Sequence, residues 1–237
     1  MAYGTLYLIP CPISDETAPW DVLPAANRAV MNALDYFIVE NTRSARRFLS
    51  KAGVERPIGE LEFRELNEHT AAGREVEELV KPLLDGRSAG VISEAGVPGV
   101  ADPGALVVEA CHRRGIRVVP LVGPSSIILA VMASGLNGQS FAFNGYLPVK
   151  PPERAKAIRF FERRAQTEGQ SQLFIEAPYR NGKLMEQLVQ TLGAETRLTV
   201  AVDLTAPGEQ VETHTAGEWR RRPLPEMNKR PAIFIIG

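Results

Sequence analysis

Short apolar runs alternate with longer amphipathic runs along almost the whole sequence, and few folds accommodate that alternation. Parallel strands must be rejoined through crossover helices, so a strand–helix rhythm points to an α/β architecture. In the first half, strands are expected at Thr5–Ile9, Tyr36–Val39, Ala89–Ile92 and Arg117–Val122. Helices are expected at Pro24–Leu34, Thr42–Ala52, Ala71–Leu84 and Ala105–Arg114, with Gly53, Gly86 and Gly115 as stops. In the second half, Gly123-Pro124 opens a buried helix at Ser125–Ser134 and Gly135 closes it. Strands follow at Phe141–Leu147, Gln172–Glu176, Leu198–Leu204 and Ala232–Ile236, with helices at Glu153–Gln166 and Asn181–Leu192.

At 237 residues and 44% hydrophobic content, the chain suffices for one large domain or two small ones. Glycine and proline cluster between Pro120 and Ser125, which suggests a boundary dividing residues 1–121 from 122–237. Each part is long enough for its own core. The 27 basic and 28 acidic residues nearly cancel, so no global field selects nucleic acid. Cys11 and Cys111 are too few for a disulfide framework, which suits a reducing cytosol. They also lack metal-ligand spacing, and His69, His112 and His214 are scattered, so no metal site is expected. The first residues carry no basic leader, and no apolar run approaches the ~20 residues that span a bilayer. The expectation is a cytoplasmic protein without a membrane partner.

Three glycine- or proline-rich loops follow strands: Pro10–Ser14, Ser93–Gly104 and Val122–Ser126. Backbone groups in such loops can face a ligand at the carboxyl edge of an open α/β sheet. None has the glycine pattern that cradles phosphates, so a nucleotide held by its phosphates is not favoured. A ligand gripped by adenine, ribose and an amino-acid end stays open. Polar residues also cluster at strand ends, in Glu40-Asn41-Thr42-Arg43, Asn67-Glu68-His69-Thr70 and Glu176-Ala177-Pro178-Tyr179-Arg180. Thr42 and Thr70 serve equally well as helix caps, and His112 reads as solvated. Basic residues gather at Arg43/Arg46/Arg47, between Lys150 and Arg164, and at Arg220-Arg221-Arg222. Such runs are ordinarily solvated faces; converging on one cleft, they would position an RNA through its phosphates.

Taken in order, these segments, with Gly4-Thr5-Leu6-Tyr7, Pro12-Ile13, Gly123-Pro124-Ser125 and Gly145-Tyr146-Leu147-Pro148 with Lys150, resemble the tetrapyrrole methylase superfamily of S-adenosylmethionine-dependent methyltransferases. The resemblance spans nearly the whole chain. Its closest branch is the group of ribosomal RNA small subunit methyltransferases I, which methylate a ribose 2′-hydroxyl in 16S rRNA. It implies a two-domain α/β tetrapyrrole methylase fold, a homodimer, no metal, and S-adenosyl-L-methionine in the interdomain cleft, with rRNA or the 30S subunit as partner. By position, the cofactor would meet Pro12, Ala95, Gly96, Val97, Ser125, Ser126, Glu176, Ala177 and Ala232. A ribose hydroxyl is a weak nucleophile, so a base would help. Glu94, Asp102 and Glu40 are the carboxylates that could supply it, with Arg43 and His69 as the other candidate catalytic residues. A side chain at Gly96 is expected to fill the cofactor's space, so that Gly96→Val abolishes binding in a folded protein.

Some positions depart from the rRNA branch. Its T-P-I-G-N-L is Cys11-Pro12-Ile13-Ser14-Asp15-Glu16 here, and its S-D-A-G-T-P is Ser93-Glu94-Ala95-Gly96-Val97-Pro98. Asn41 stands where that branch has a carboxylate, Asn67 where it has a histidine, and the basic C-terminal extension is missing from this sequence. Two other readings therefore stay open. The near-neutral charge favours methylation of a tetrapyrrole or another small molecule. Asn41 and Asn67 favour a cofactor-binding protein without turnover.

Overall fold

The structure is a computed structural model and describes residues 2–66 and 73–237. The chain packs as two units, Met1–Ser125 and Ser126–Gly237. In the first, strands β1 (Thr5–Ile9), β2 (Tyr36–Val39), β3 (Glu62–Glu65), β4 (Ala89–Ile92) and β5 (Arg117–Pro120) form a sheet in the order β3-β2-β4-β1-β5. All its pairings are parallel. Between the strands run α1 (Pro19–Val22), α2 (Ala26–Ala33), α3 (Thr42–Ala52), α4 (Arg74–Leu84) and α5 (Gly104–Arg113).

Helices cover both faces of this sheet, which is why β2 and β4 are apolar throughout rather than alternating. Tyr36, Ile38 and Val91 pack with Val80 and Leu83 of α4 and Val107 of α5. Phe37, Val39 and Ile92 point the other way, into a cluster with Met31 of α2 and Leu49 of α3. The Tyr36 hydroxyl keeps a partner inside by donating to the Leu79 carbonyl at 2.9 Å.

The second unit contains α6 (Ser126–Ser134), β6 (Phe141–Tyr146), α7 (Pro151–Glu168), β7 (Ser171–Ile175), α8 (Asn181–Thr191), β8 (Arg197–Val202), β9 (Gln210–Thr215), α9 (Ala216–Trp219) and β10 (Ala232–Ile236). Its sheet runs β6-β7-β10-β8-β9, with β6 and β7 parallel and the remaining pairs antiparallel. Phe174, Val200 and Phe234 face a core built with α7, α8 and Trp219, while Leu173, Ala201 and Ile235 face α6. A capping box between Thr215 and Glu218 starts α9.

Most expected elements are present, with three departures of note. Strands β3 and β9 and helix α1 lie outside the expected set; both strands sit at sheet edges and mix polar with apolar residues. The strand expected to reach Leu204 stops at Val202, because Asp203 turns the chain with φ +49°. Helix α4 is described from Arg74, and the first residues of the expected Ala71–Leu84 lie outside the described residues. Phe174 is fully buried, with its ring centroid 5.0 Å from that of Phe161. Phe174→Ala should therefore destabilise the protein by about 3–5 kcal/mol, read as a lower urea midpoint. A loss below about 1 kcal/mol would show that the core closes around the gap.

Candidate functional site

Because β1, β2, β4 and β5 run in parallel, the loops that leave them emerge at one edge of the sheet. The loop after the central strand β4 is held from two directions. Its Gly96 carbonyl accepts the Cys11 N–H at 2.8 Å, an antiparallel bridge to the loop after β1. The buried Cys11 thiol donates to the Ser93 carbonyl at 3.6 Å, and burial pushes its pKa up, so it stays neutral. Further along, Asp102 Oδ1 accepts two backbone N–H groups, Gly99 at 2.8 Å and Gly104 at 2.7 Å. The loop after β5 lies alongside: the Pro124 carbonyl would sit 3.5 Å from a Cβ at position 96.

Two glycines are dictated by this geometry. At Gly104 a Cβ would come within 2.6 Å of Asp102 Oδ1 and 3.1 Å of Val91 Cγ1, so only glycine lets α5 start against the sheet. Gly96 has φ +69°, a left-handed backbone that other residues adopt at a cost. A Cβ at Gly96 would meet the protein only in ordinary contact, so within the protein Gly96→Val acts by straining the loop's backbone.

Glu40 follows β2, and its Oε2 accepts the Glu94 N–H at 3.3 Å. Burial above all, and then the Asp102 and Glu94 charges, push the Glu40 carboxyl above the usual carboxylate range. Glu94 is exposed and takes the Ser44 hydroxyl at 3.4 Å. Thus Glu40, Glu94 and Asp102 gather at one edge, with Asp102 committed to the loop. Arg43 is exposed on the first turn of α3. The cap of that helix is Asn41, whose Oδ1 accepts the Ser44 N–H at 3.0 Å, while the Thr42 N–H goes to Glu65. Thr42 is therefore not the cap, and Asn41 has a structural task of its own. His69 and Thr70, the residue expected as a cap, lie outside the described residues.

Pro12 borders a small recess of about 30 Å³ with Ser14, Arg47, Lys51 and Glu94. A larger, mainly apolar groove of about 360 Å³ runs along Val97, Pro98 and Val100 against Leu8, Pro120 and Leu121. Of the three loop residues expected at the cofactor, Val97 lines it; Ala95 is exposed and Gly96 buried in the bridge. Ser125 closes the first unit and Ser126 opens α6; both are half-buried.

In the second unit, Glu176 and Ala177 follow β7, and antiparallel pairing of Ile175 with Ile233 sets Ala232 level with Glu176. The Glu176 carboxylate faces inward. Its Oε1 accepts Arg180 Nε at 2.9 Å, Arg180 Nη2 at 2.5 Å and the Ala177 N–H at 2.8 Å, and Arg154 Nη1 stands 3.9 Å from Oε2. Several basic residues are likewise spent internally. Arg47 pairs with Asp15, Arg164 with Glu168, and Arg220 donates to the Val189 and Leu192 carbonyls. Among the described residues, no group of three or more His, Cys, Asp or Glu side chains could hold a metal, and no helix is long and apolar enough to cross a membrane.

A family model described as Tetrapyrrole (Corrin/Porphyrin) Methylases matches residues 6–219. The chain belongs to that family. Within it, the sequence is similar to Ribosomal RNA small subunit methyltransferase I of Xylella fastidiosa (strain Temecula1), 32% identical over 98% of this chain and 80% of that protein. The Escherichia coli O157:H7 protein of the same name is 30% identical over 98% of this chain and 77% of its own. The crystal structure of the methyltransferase CobJ superposes with a TM-score of 0.63 over 100% of this chain and 94% of that one. At 15% identity, that likeness concerns the methylase fold alone.

Two consequences can be measured. Asp102→Ala leaves the Gly99 and Gly104 N–H groups without an acceptor and should cost about 1–3 kcal/mol, whereas Asp102→Asn keeps the acceptor oxygen and most of the stability. Equal unfolding midpoints for the two variants would contradict that role. At Glu40, the raised pKa means that the native protein keeps this proton longer than the unfolded chain does. Stability then falls as pH rises from the ordinary carboxylate value through the raised one. Glu40→Gln should remove that fall, so the variant gains on wild type as pH rises from about 4, the ordinary carboxylate value. A constant difference in melting temperature across that range would rule the effect out.

Proposed function

We propose that this protein methylates a ribose 2′-hydroxyl of 16S rRNA, using S-adenosyl-L-methionine as donor. The observation that carries this reading is the 32% identity over 98% of the chain to Ribosomal RNA small subunit methyltransferase I. The groove along Val97–Val100 has the size and apolar lining that an adenosyl-bearing ligand needs. In this reading Pro12, the Ala95–Val97 backbone and Ser125 of the first unit hold the donor, and the family resemblance adds Ser126, the Ala177 backbone and Ala232. With its carboxylate turned inward, Glu176 supports that set rather than touching the ligand.

When bound, S-adenosylmethionine supplies a sulfonium methyl, and the ribose oxygen gains the O–C bond as the S–C bond breaks. The chain's own work is to align the two reactants and receive the hydroxyl proton. Glu40 is the base we assign, because its burial and its acidic neighbours raise its affinity for a proton. Asp102 keeps the loop's shape, and Glu94, Arg43 and His69 are assigned to the acceptor side. The replacement of a family carboxylate by Asn41 is no argument against turnover, since Asn41 caps α3. We further take the protein to be a cytoplasmic homodimer that acts on the 30S subunit.

The reading is tested by mapping 2′-O-methylation in 16S rRNA from wild-type and gene-deletion strains. One ribose methyl should disappear on deletion and return with the wild-type gene but not with Glu40→Gln. An unchanged methylation map, with S-adenosylmethionine binding intact by calorimetry, would transfer the activity to a small-molecule acceptor.

A further inference from the structure

On the second unit, two exposed tyrosines flank a buried carboxylate. Tyr146 and Tyr179 are 63% and 68% accessible. Tyr146 ends β6 level with Ile175, the residue before Glu176, and Tyr179 lies in the short turn Pro178–Arg180 just beyond. The Arg180 guanidinium lies 5.3 Å from the Tyr179 ring centroid, and its Nη1 donates to the Tyr179 hydroxyl at 3.3 Å. The hydrogen bonds from Arg180 to Glu176 are the main cause that holds the Arg180 pKa up.

The support is rigid. Arg180 is bound twice to Glu176, whose side chain is 1% exposed, and Arg154 backs the carboxylate from the inside. Exposing aromatic surface is unfavourable, and locking it in place removes the conformational freedom that would otherwise offset that cost. A ring so held is pre-organised for a flat partner. Lys183 shares with Tyr179 the wall of a groove of about 300 Å³ that also includes Glu186 and Glu226. Such a wall offers a phosphate contact from the lysine and acceptors for base amino groups from the carboxylates.

We propose that Tyr146, Tyr179 and Arg180 form a stacking platform for an unpaired base of the RNA substrate. Unpaired bases are bound chiefly by stacking on aromatic rings and guanidinium planes. The platform rests on the rRNA reading above and adds to it a contact with a base of the substrate.

Transfer of labelled methyl groups to 30S subunits from the deletion strain tests it. Y146A and Y179A should each raise the KM for 30S subunits about five- to hundredfold, the cost of losing one stacked base. Affinity for S-adenosylmethionine by calorimetry and the melting temperature should not move. Y179F, which keeps the ring, should raise KM less than Y179A. Wild-type KM in both alanine variants, with rRNA methylated normally, overturns the platform and leaves the rRNA reading standing. A wild-type protein that binds S-adenosylmethionine but methylates no 30S rRNA overturns both.

Discussion

All five strands of the first sheet point the same way, so their carboxyl ends share one edge and the loops leaving them must meet there. The site's geometry depends on this constraint. A parallel sheet buries both faces under helices and leaves its ends as the place where backbone can face a ligand. At that edge the Cys11 N–H on the Gly96 carbonyl ties the first loop to the central one. Asp102 then fixes the central loop's far end by binding Gly99 and Gly104. The carboxylates of Glu40 and Glu94 are placed by strands and loops that have little freedom left.

How much of this was legible in the sequence follows from where the apolar residues lie. The bounds of β1, β2 and β4 coincide with the apolar runs Thr5–Ile9, Tyr36–Val39 and Ala89–Ile92, because buried strands leave no room for polar residues. Strands β3 (EFRE) and β9 (QVETHT) were not legible, since an edge strand needs few apolar side chains and its ladder is a backbone property. The Ser93–Gly104 loop announced itself by its glycines and prolines. That Asp102 would serve the loop's own N–H groups did not, because a carboxylate looks the same whether it faces a ligand or its own backbone.

Charge was the least legible feature. Arg154 and Arg220 read as members of basic runs, yet one backs a buried carboxylate and the other ties two carbonyls at the end of α8. Glu176 read as a strand-end carboxylate open to a ligand, whereas Arg180, four residues on, turns it inward. Partner and burial decide what a charged residue does, and neither is visible in the residue type. The family match supplies what local pattern lacks, a methylase frame, and the proposed function assigns the methyl donor to this edge.

Amide hydrogen exchange with and without saturating S-adenosylmethionine tests that placement most directly. Exchange should slow most in the segments holding Pro12 and Ala95–Gly104, where the ligand would damp the opening of the Cys11–Gly96 and Asp102 contacts. Slowing confined to other segments, with these two exchanging as in the free protein, would contradict the assignment of the donor to this edge.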